Sequence, residues 1–538
     1  MTRIVLTCDE TLTSTYRNIP LLDFLGCAPV ERVPGFVYRL LDTQLPESGG
    51  VLQVAPYSVR KLEAAVNQGG YKDVVVAHPR CVERFIDSGT SVVGISTMDP
   101  LGRGPVSMMF TSGGRYTAFT TKKFFEMLQM LDGIRKKRNI PFKIVVGGQG
   151  AWQLTLSDDW RKYGIDHLVI GEVDHVAGEL LQMIEHGDAE QLIKVKGFPT
   201  VEEIPAIIAP SYKGFVEVSR GCGRNCRYCD PNLRRIRCTR TDVLFREIEI
   251  NVSAGMTIAW LHSDDVFLYK LEDHRNFYPN SEKIVELFRT VMKRPGVTFA
   301  NPSHGSLAPV AADPGMIRGI SEAVGAGPTK WVGIQMGLET ASADLLRKQM
   351  ENKAKPFSPE EWPEVVMKAT YVLNCNYWFP AYTVILGLPG ETSEDALDTA
   401  RLIITMERRL KEKLGAKAHF TVTPLAFIPV GSLREGIPFD MKEQMTEERF
   451  LLLYVSWKHM AKEIAEFIPR RSSNSDVGLA AFYPFAKVGT WTILRLMRQW
   501  GIRMGYDPDR RLDSLDMDLR FPTMTQEGRK ASALESET

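Results

Sequence analysis

Three of the eight cysteines in this 538-residue chain fall in one twelve-residue stretch, SRGCGRNCRYCD, where Cys222, Cys226 and Cys229 stand at the spacing C-x3-C-x2-C. Thiolates this close together suit one soft metal centre, which a short loop can wrap if a rigid edge holds it. Strand-like Gly214–Val218 supplies that edge directly before the loop. Structural zinc ordinarily takes four Cys or His ligands. Here the fourth is missing locally: Cys238 lies nine residues on, and His262 and His304 stand alone. Three ligands leave one position of the centre open. A structural zinc site, or three unrelated thiols, is the competing reading. The single cysteines Cys8, Cys27, Cys81, Cys238 and Cys375 read as small buried hydrophobes.

Around this loop the chain alternates strand-like and helical patterns, and its length suggests two or three domains. Residues 1–200 read as one unit, with candidate strands Ile4–Thr7, Val51–Ala55, Asp73–Ala77, Val92–Thr97, Lys143–Val146 and His167–Ile170. Amphipathic stretches such as Val59–Gln68, Thr121–Arg138 and His175–His186 separate or follow them. Strand and helix at this spacing predict an α/β, doubly wound parallel sheet, with ligands beyond the carboxyl ends of the strands. Around residues 188–212 the pattern breaks, and Pro199, Pro205 and Pro210 read as a linker. Residues 201–435 give a second series of six βα units, a partial (β/α)6 version of the parallel barrel: Gly214–Val218, Thr257–Leu261, Val297–Ala300, Trp331–Met336, Tyr382–Leu386 and Phe420–Thr423. Residues 436–538 read as a helical carboxyl-terminal cap with a mobile tail, EGRKASALESET.

With these elements placed, the loop resembles that of the radical S-adenosylmethionine (SAM) superfamily, including the aromatic Tyr228 before the last cysteine. The resemblance implies that Cys222, Cys226 and Cys229 bind a [4Fe-4S] cluster whose fourth iron takes SAM. It spans roughly residues 212–435. Ser263-Asp264-Asp265 stands where the superfamily carries a polar, often GGE-like motif for the methionyl amine, although the residues differ. MGLETAS (Met336–Ser342) is similar to the fourth-strand motif, with Glu339 a polar contact to SAM. ILGLPGET (Ile385–Thr392) is similar to the fifth-strand glycine motif, which adds Gly387, and FIPVGSL (Phe427–Leu433) resembles the close of the sixth.

The first unit resembles the Rossmann-like cobalamin-binding fold joined to one large radical SAM class. The resemblance implies that Ser96 and Thr97, Gly147, Gly148 and Gln149, and Gly171-Glu172 line the cobalamin site, glycine allowing close approach at the sheet edge. The D-x-H-x-x-G motif that brings a lower histidine to cobalt is absent, since the position reads VAPYSVR (Val54–Arg60); His78 reads as a satisfied loop histidine. The loop Met98–Tyr116 is a candidate cover for one corrin face, with Trp152 a weaker one. No phosphate loop of the G-x-x-x-x-G-K-[ST] type is present.

The resemblance implies a class B, cobalamin-dependent radical SAM C-methyltransferase acting on an unactivated sp3 carbon through a 5′-deoxyadenosyl radical and methylcobalamin. Length and architecture are similar to the peptide-modifying members, which implies post-translational modification in archaeal methanogenesis, with a glutamine of methyl-coenzyme M reductase as substrate. The alternative is carbon–carbon bond formation in archaeal lipids, as in a tetraether ring synthase, contacted by Phe485–Met504 with Val488, Trp491, Leu494 and Met497 on one face. Arg220, Arg224, Arg227, Arg234, Arg235, Arg237 and Arg240 crowd the cysteine loop, either pairing with nearby acids or attracting a low-potential donor such as ferredoxin or flavodoxin. A net charge of +1 and the lack of an aromatic-rich tract interleaved with those arginines speak against nucleic acid. No apolar run approaches the roughly 20 residues of a membrane span, and the amino terminus lacks a secretory pattern, so a cytoplasmic location is expected.

Overall fold

The computed structural model describes residues 3–18, 20–471, 477–506, 509 and 515–519. Its first sheet is built from the β-branched runs of the amino-terminal third, which suit a pleated surface buried on both faces. The strands are β1 (Ile4–Cys8), β2 (Val74–Val76), β3 (Val92–Ser96), β4 (Lys143–Gly147), β5 (His167–Ile170) and β6 (Leu192–Lys194), all parallel, in the order β2-β1-β3-β4-β5-β6. That is the doubly wound order whose switch point lies between β1 and β3. Alternation assigns the faces. Val5, Val93 and Ile144 pack with α2 (Phe119–Arg138) on one side. Ile4, Leu6 and Val92 pack on the other with α1 (Tyr57–Gln68) and α3 (Ala177–His186).

Five of the six expected strands form this sheet. The sixth, Val51–Ala55, is reduced to one side of a two-residue hairpin, Glu47–Ser48 with Val51–Leu52. The edge strand β6 instead comes from the stretch read as a linker. The rest of that stretch is docked on both sides: Ile204 and Ile207 are buried, Arg60 Nε donates to Pro210 O at 2.9 Å, and Ser211 N donates to Asn251 Oδ1 at 2.8 Å. Three prolines set its extended backbone without freeing it.

The second series forms a six-strand open barrel: β7 (Phe215–Glu217), β8 (Ile258–His262), β9 (Phe299–Pro302, resuming as His304–Gly305), β10 (Val332–Glu339), β11 (Trp378–Leu386) and β12 (Thr421–Ala426). Each pairs in parallel with its sequence neighbour. Where β9 breaks at Ser303, the Asn301 side chain bridges to β10, donating to Gly333 O at 2.8 Å and accepting from Gly333 N at 3.0 Å. On β10 the residues Val332, Ile334, Met336 and Leu338 are buried, while Gly333, Gln335 and Gly337 alternate with them and Gln335 is exposed.

Helix α4 (Glu447–Arg471) packs on the barrel. Helix α5 (Val477–Arg503) buries Leu494 and Met497 partly in the same core but leaves Val488 and Trp491 exposed, which divides the expected apolar stripe. The loop 98–116 divides: Met98 lines the cavity at the end of β3 and Leu101 packs on the core of the first sheet, while the rest turns to the barrel. Its helix Pro105–Phe110 carries Met108 and Met109 into the barrel core, and Phe110 meets Trp457 edge-on at 5.8 Å. The tail 527–538 lies outside the described residues, and no described helix is long and apolar enough to cross a membrane.

Candidate functional site

One cavity of about 660 Å³ lies between the carboxyl ends of β3, β4 and β5 and the mouth of the barrel. All seven strand-end residues expected for cobalamin line it: Ser96, Thr97, Gly147, Gly148, Gln149, Gly171 and Glu172, joined by Trp152. Its opposite wall carries Glu217, Ser219, Arg220, His262 and Asp264 from the first two barrel strands and their loops. Away from the barrel it continues between the sheet and helices α1 and α3.

The two glycines at the carboxyl end of β4 differ. A Cβ on Gly147 would meet nothing closer than 3.6 Å, so its missing side chain is room in the cavity. Gly148 has φ +95°, and a Cβ there would lie 2.6 Å from Thr97 O and 2.7 Å from Thr97 N. Its freedom is therefore used by the protein's own backbone at the end of β3, where Thr97 N and Oγ1 both donate to Gly147 O. Ser96 Oγ donates to Ser58 Oγ at 3.2 Å, tying the strand end to the start of α1.

Glu172 lines the cavity, but its carboxylate is taken up by arginines. It accepts from Arg220 Nη1 at 2.9 Å and Arg237 Nη2 at 2.8 Å, with Arg234 Nη1 at 3.6 Å. Burial pushes the Glu172 carboxyl up, and Arg237 and Arg220 outweigh it to hold the carboxyl below its ordinary range. Arg220 also grips Asp174 through two bonds and Glu217 Oε1 at 2.6 Å. Arg220 and Arg237 face each other across a short antiparallel ladder that closes the neck of the cysteine loop. Arg224 pairs with Asp265 at 3.3 Å, and Arg240 forms an exposed pair with Asp242. For these five arginines, pairing with nearby acids is what is observed.

The cysteine loop is held from the barrel side as well. Cys226 bridges to Met350, Arg227 N donates to Gln349 O at 2.8 Å, and Ser432 N donates to Arg227 O at 2.8 Å. Gly431, at φ +63°, allows that contact: a Cβ would lie 2.6 Å from Arg227 O and 2.8 Å from Cys229 N. Thus FIPVGSL closes directly onto the loop. Burial first, then the Asp265 carboxylate, push the Cys222 thiol up to about 12, and burial raises Cys226 against the pull of Lys353. Such thiols ionise readily only against a metal or comparable positive charge. Among the described residues no three Cys, His, Asp or Glu side chains are gathered as a single ion requires. A four-iron cube separates its thiolates more widely than one ion does, so the two facts are compatible.

The expected SAM contacts separate into two groups. Tyr228 and Glu339 meet beside Cys226, with Lys353 Nζ at 3.7 Å and Thr383 Oγ1 at 3.2 Å from the Glu339 carboxylate. Glu339 takes φ +66°, and burial pushes its carboxyl up despite Lys353. Asp264 accepts from Gly221 N at 2.6 Å and reaches the cavity. Ser263 is buried, and its hydroxyl is shared with Ser219 Oγ at 2.7 Å and Asp265 N at 3.1 Å. A Cβ on Gly387 would strike the Phe439 ring at 2.1 Å, so packing alone demands glycine there.

Sequence spacing missed three features. His262 and His304 are brought together at 6.1 Å between ring centroids, with Ser303 Oγ 3.3 Å and 3.0 Å from their Nδ1 atoms. Burial, with the His262 ring next, holds His304 down at about 4. Glu217 is buried with Lys61 Nζ at 3.5 Å and Arg220 beside it; burial pushes its carboxyl up, but these cations hold it at about 2. The α1 stripe Ser58, Lys61, Leu62, Ala65 and Val66 lines the cavity; its helical spacing was legible, its target was not. His78 lies away from the cavity, and its Nδ1 accepts from Arg80 N at 3.2 Å, as a loop histidine would.

This fold, a doubly wound sheet joined to an open barrel, is similar to that of two solved structures of a radical SAM methyltransferase. The matching structures are of TsrM from Kitasatospora setae. One holds tryptophan and a SAM analogue (TM-score 0.52, 14% identity, 80% of this chain and 75% of that chain), and the other holds cobalamin and a [4Fe-4S] cluster (TM-score 0.51, 14% identity, 80% and 74%). By sequence the chain is similar to tRNA-2-methylthio-N(6)-dimethylallyladenosine synthase of Ehrlichia ruminantium, 24% identical over 67% of this chain and 76% of that protein. It is also similar to ribosomal protein uS12 methylthiotransferase RimO of Anaeromyxobacter, 22% identical over 52% and 57%. No protein-family model matches. These relatives are methylthiotransferases, and the expected lipid-synthase alternative has no counterpart among them.

Proposed function

We propose that the chain is a cobalamin-dependent radical SAM methyltransferase that methylates an sp3 carbon. The observation that carries this reading is a cavity shared by the strand ends of the doubly wound sheet and by the neck of the cysteine loop. When bound, the cluster supplies an electron to SAM and the corrinoid supplies the methyl group.

The chain's own residues bind and orient. Cys222, Cys226 and Cys229 present thiolates, and Tyr228 stands beside Cys226. Glu339, steadied by Thr383 and Lys353, and Asp264, fixed on Gly221 N, are the polar contacts for SAM; Ser263 acts by holding this loop. Ser96, Thr97, Gly147, Gly148, Gln149 and Gly171 shape the corrinoid wall, while Glu172 locks that wall to the loop. Their part in the reaction would be to orient the reactants towards one another and to limit water at the reacting centre. The units 1–200, 201–435 and 436–538 divide corrinoid binding, radical generation and substrate capping. The acceptor is a protein or peptide, a glutamine side chain of methyl-coenzyme M reductase being the first to test on grounds of architecture. The reductant is a cytoplasmic ferredoxin or flavodoxin.

The test is anaerobic reconstitution with iron, sulfide and cobalamin, then incubation with SAM, a reductant and glutamine-containing peptides of that reductase, with tRNA in a parallel reaction. Mass spectrometry should show a peptide heavier by CH2, with 5′-deoxyadenosine and S-adenosylhomocysteine formed in step. A gain of CH2S on tRNA would replace methyl transfer by methylthiolation. Absence of 5′-deoxyadenosine under every condition would overturn the radical reading.

A further inference from the structure

Helix α5 has two unlike sides. Its inner stripe, Thr490, Leu494, Met497 and Gly501, turns to the protein. Gly501 lies so near the Phe450 ring of α4 that a Cβ would come within 2.5 Å of it, and Trp500 meets the same ring edge-on at 5.2 Å. The helix is therefore seated, and its outer side stays outward. That side carries Val488, Trp491, Leu496 and Ile502, each more than half exposed. At about 3.6 residues per turn, Val488, Trp491 and Ile502 fall in one stripe with Leu496 on its flank. Single apolar side chains on a surface are ordinary, but a group on one side of one helix, a tryptophan included, marks a contact site.

Charge says what covers it. From Val477 to Tyr506 the sequence has no Asp or Glu, while Lys487, Arg495, Arg498 and Arg503 are all exposed. Arg498 pairs with Asp509 at 2.6 Å, so Lys487, Arg495 and Arg503 give the outer side its charge. The Arg495 guanidinium lies over the Trp491 ring, 5.3 Å from its centre. We propose that this side of α5 docks the protein on the surface of an anionic lipid bilayer. The apolar side chains sink to the boundary between headgroups and acyl chains, while the cations bend their long stems back to the phosphates. Trp491 suits that boundary, where one part of its ring system meets an apolar phase and the indole N–H meets a polar one. A second copy of this chain fits poorly, because a two-fold contact would press the same cations against one another. No described helix is long and apolar enough to cross a membrane, so the docking is peripheral. It stands apart from the corrinoid reading: it places the protein and takes no part in the chemistry.

The experiment is vesicle co-sedimentation of the full chain with its reconstituted cluster, kept anaerobic. Vesicles of phosphatidylcholine alone are compared with an equimolar mixture of phosphatidylcholine and phosphatidylglycerol. Binding to the anionic vesicles should be at least tenfold stronger, and should fall as salt is raised. Equal binding to both, or none to either, would overturn the proposal. The double variant Trp491→Glu, Leu496→Glu should lose that binding at least tenfold at an unchanged melting temperature; binding that survives would move the contact off this helix. Should that variant fold poorly, Arg495→Gln with Arg503→Gln serves in its place and should weaken anionic binding at least threefold, an unchanged affinity counting against the charge argument. Brominated acyl chains should quench the wild-type fluorescence more than that of Trp491→Phe, and equal quenching would keep Trp491 out of the bilayer. Velocity sedimentation without vesicles covers the other occupant: self-association that the glutamate variant abolishes would give this side to a second copy and overturn the lipid.

Discussion

The two walls of the cavity are built by opposite means. The sheet wall is made of absences: glycine at 147, small side chains at 96 and 97, and an apolar slot below them. The barrel wall is made of commitments: the neck of the cysteine loop is fixed by Arg220 and Arg237 on Glu172, by Arg220 on Asp174, and by Gly431 pressed on the loop backbone. Shape can hold a large flat ligand with few strong bonds, because apolar contact is summed over area. A loop of irregular backbone has no ladder to define it, so it needs charged and hydrogen-bonded ties. The contrast implies that damage to the barrel wall acts through geometry or chemistry, and damage to the sheet wall through occupancy.

The hardest separation of the two walls is Cys226→Ala. This change should abolish 5′-deoxyadenosine formation, measured by mass spectrometry, while cobalamin binding stays within twofold. Loss of both together would show that the walls do not act independently. Next comes the glycine pair. Gly147→Leu should weaken cobalamin binding at least tenfold with little change in melting temperature, since a Cβ there has room. Gly148→Ala should destabilise the fold by about 1–3 kcal/mol through the strained backbone and the Thr97 contact. Calorimetry beside a binding titration reads the difference, and a Gly147→Leu protein that binds normally would refute the sheet wall as drawn.

Glu172 belongs to both walls and tests their junction. Glu172→Gln removes the charge from an acid that is 14% exposed, opposite arginines that are 12% exposed at 220 and 237. Breaking a buried ion pair on one side typically costs about 3 kcal/mol, because the partner stays buried without compensation. We expect that loss in denaturant melts, together with a shifted midpoint potential of the reconstituted cluster. A variant that melts normally would mean the neck is held by Asp174 and Glu217 alone.

Much of this was legible before any coordinates, for identifiable reasons. Strands such as His167–Ile170 are short β-branched runs with turn signals at both ends, so local pattern determined them. The three thiols and the paired glycines were visible because their spacing is local too. What escaped was set by contacts between distant residues. Glu172 and Arg237 are 65 positions apart and nothing in either neighbourhood announces the pair. Strand β6 was hidden in a proline-bearing stretch because an edge strand needs pairing on one side only. His262 and His304 looked solitary since they end neighbouring strands. Gly387 suggested a ligand contact, and the structure gives its missing side chain to Phe439.

That histidine pair yields the gentlest prediction, and it separates two groups of the barrel wall by pH. His304 drops from its ordinary 6.5 to about 4. The folded state therefore binds fewer protons than the unfolded chain in that window, and stability should fall as pH falls from 6.5 towards 4, by at most about 3 kcal/mol. Glu217 drops from 4.5 to about 2. Its contribution, present above 4.5, should be lost only below that value, as pH falls through about 2. Acid titration of the melting temperature should thus show two separate slopes. His304→Gln should flatten the upper slope and leave the lower one, because Gln keeps a hydrogen-bonding group beside Gln335 and does not titrate. An upper slope that survives in that variant would place the proton uptake on another group and leave the lumen histidines without a part in it.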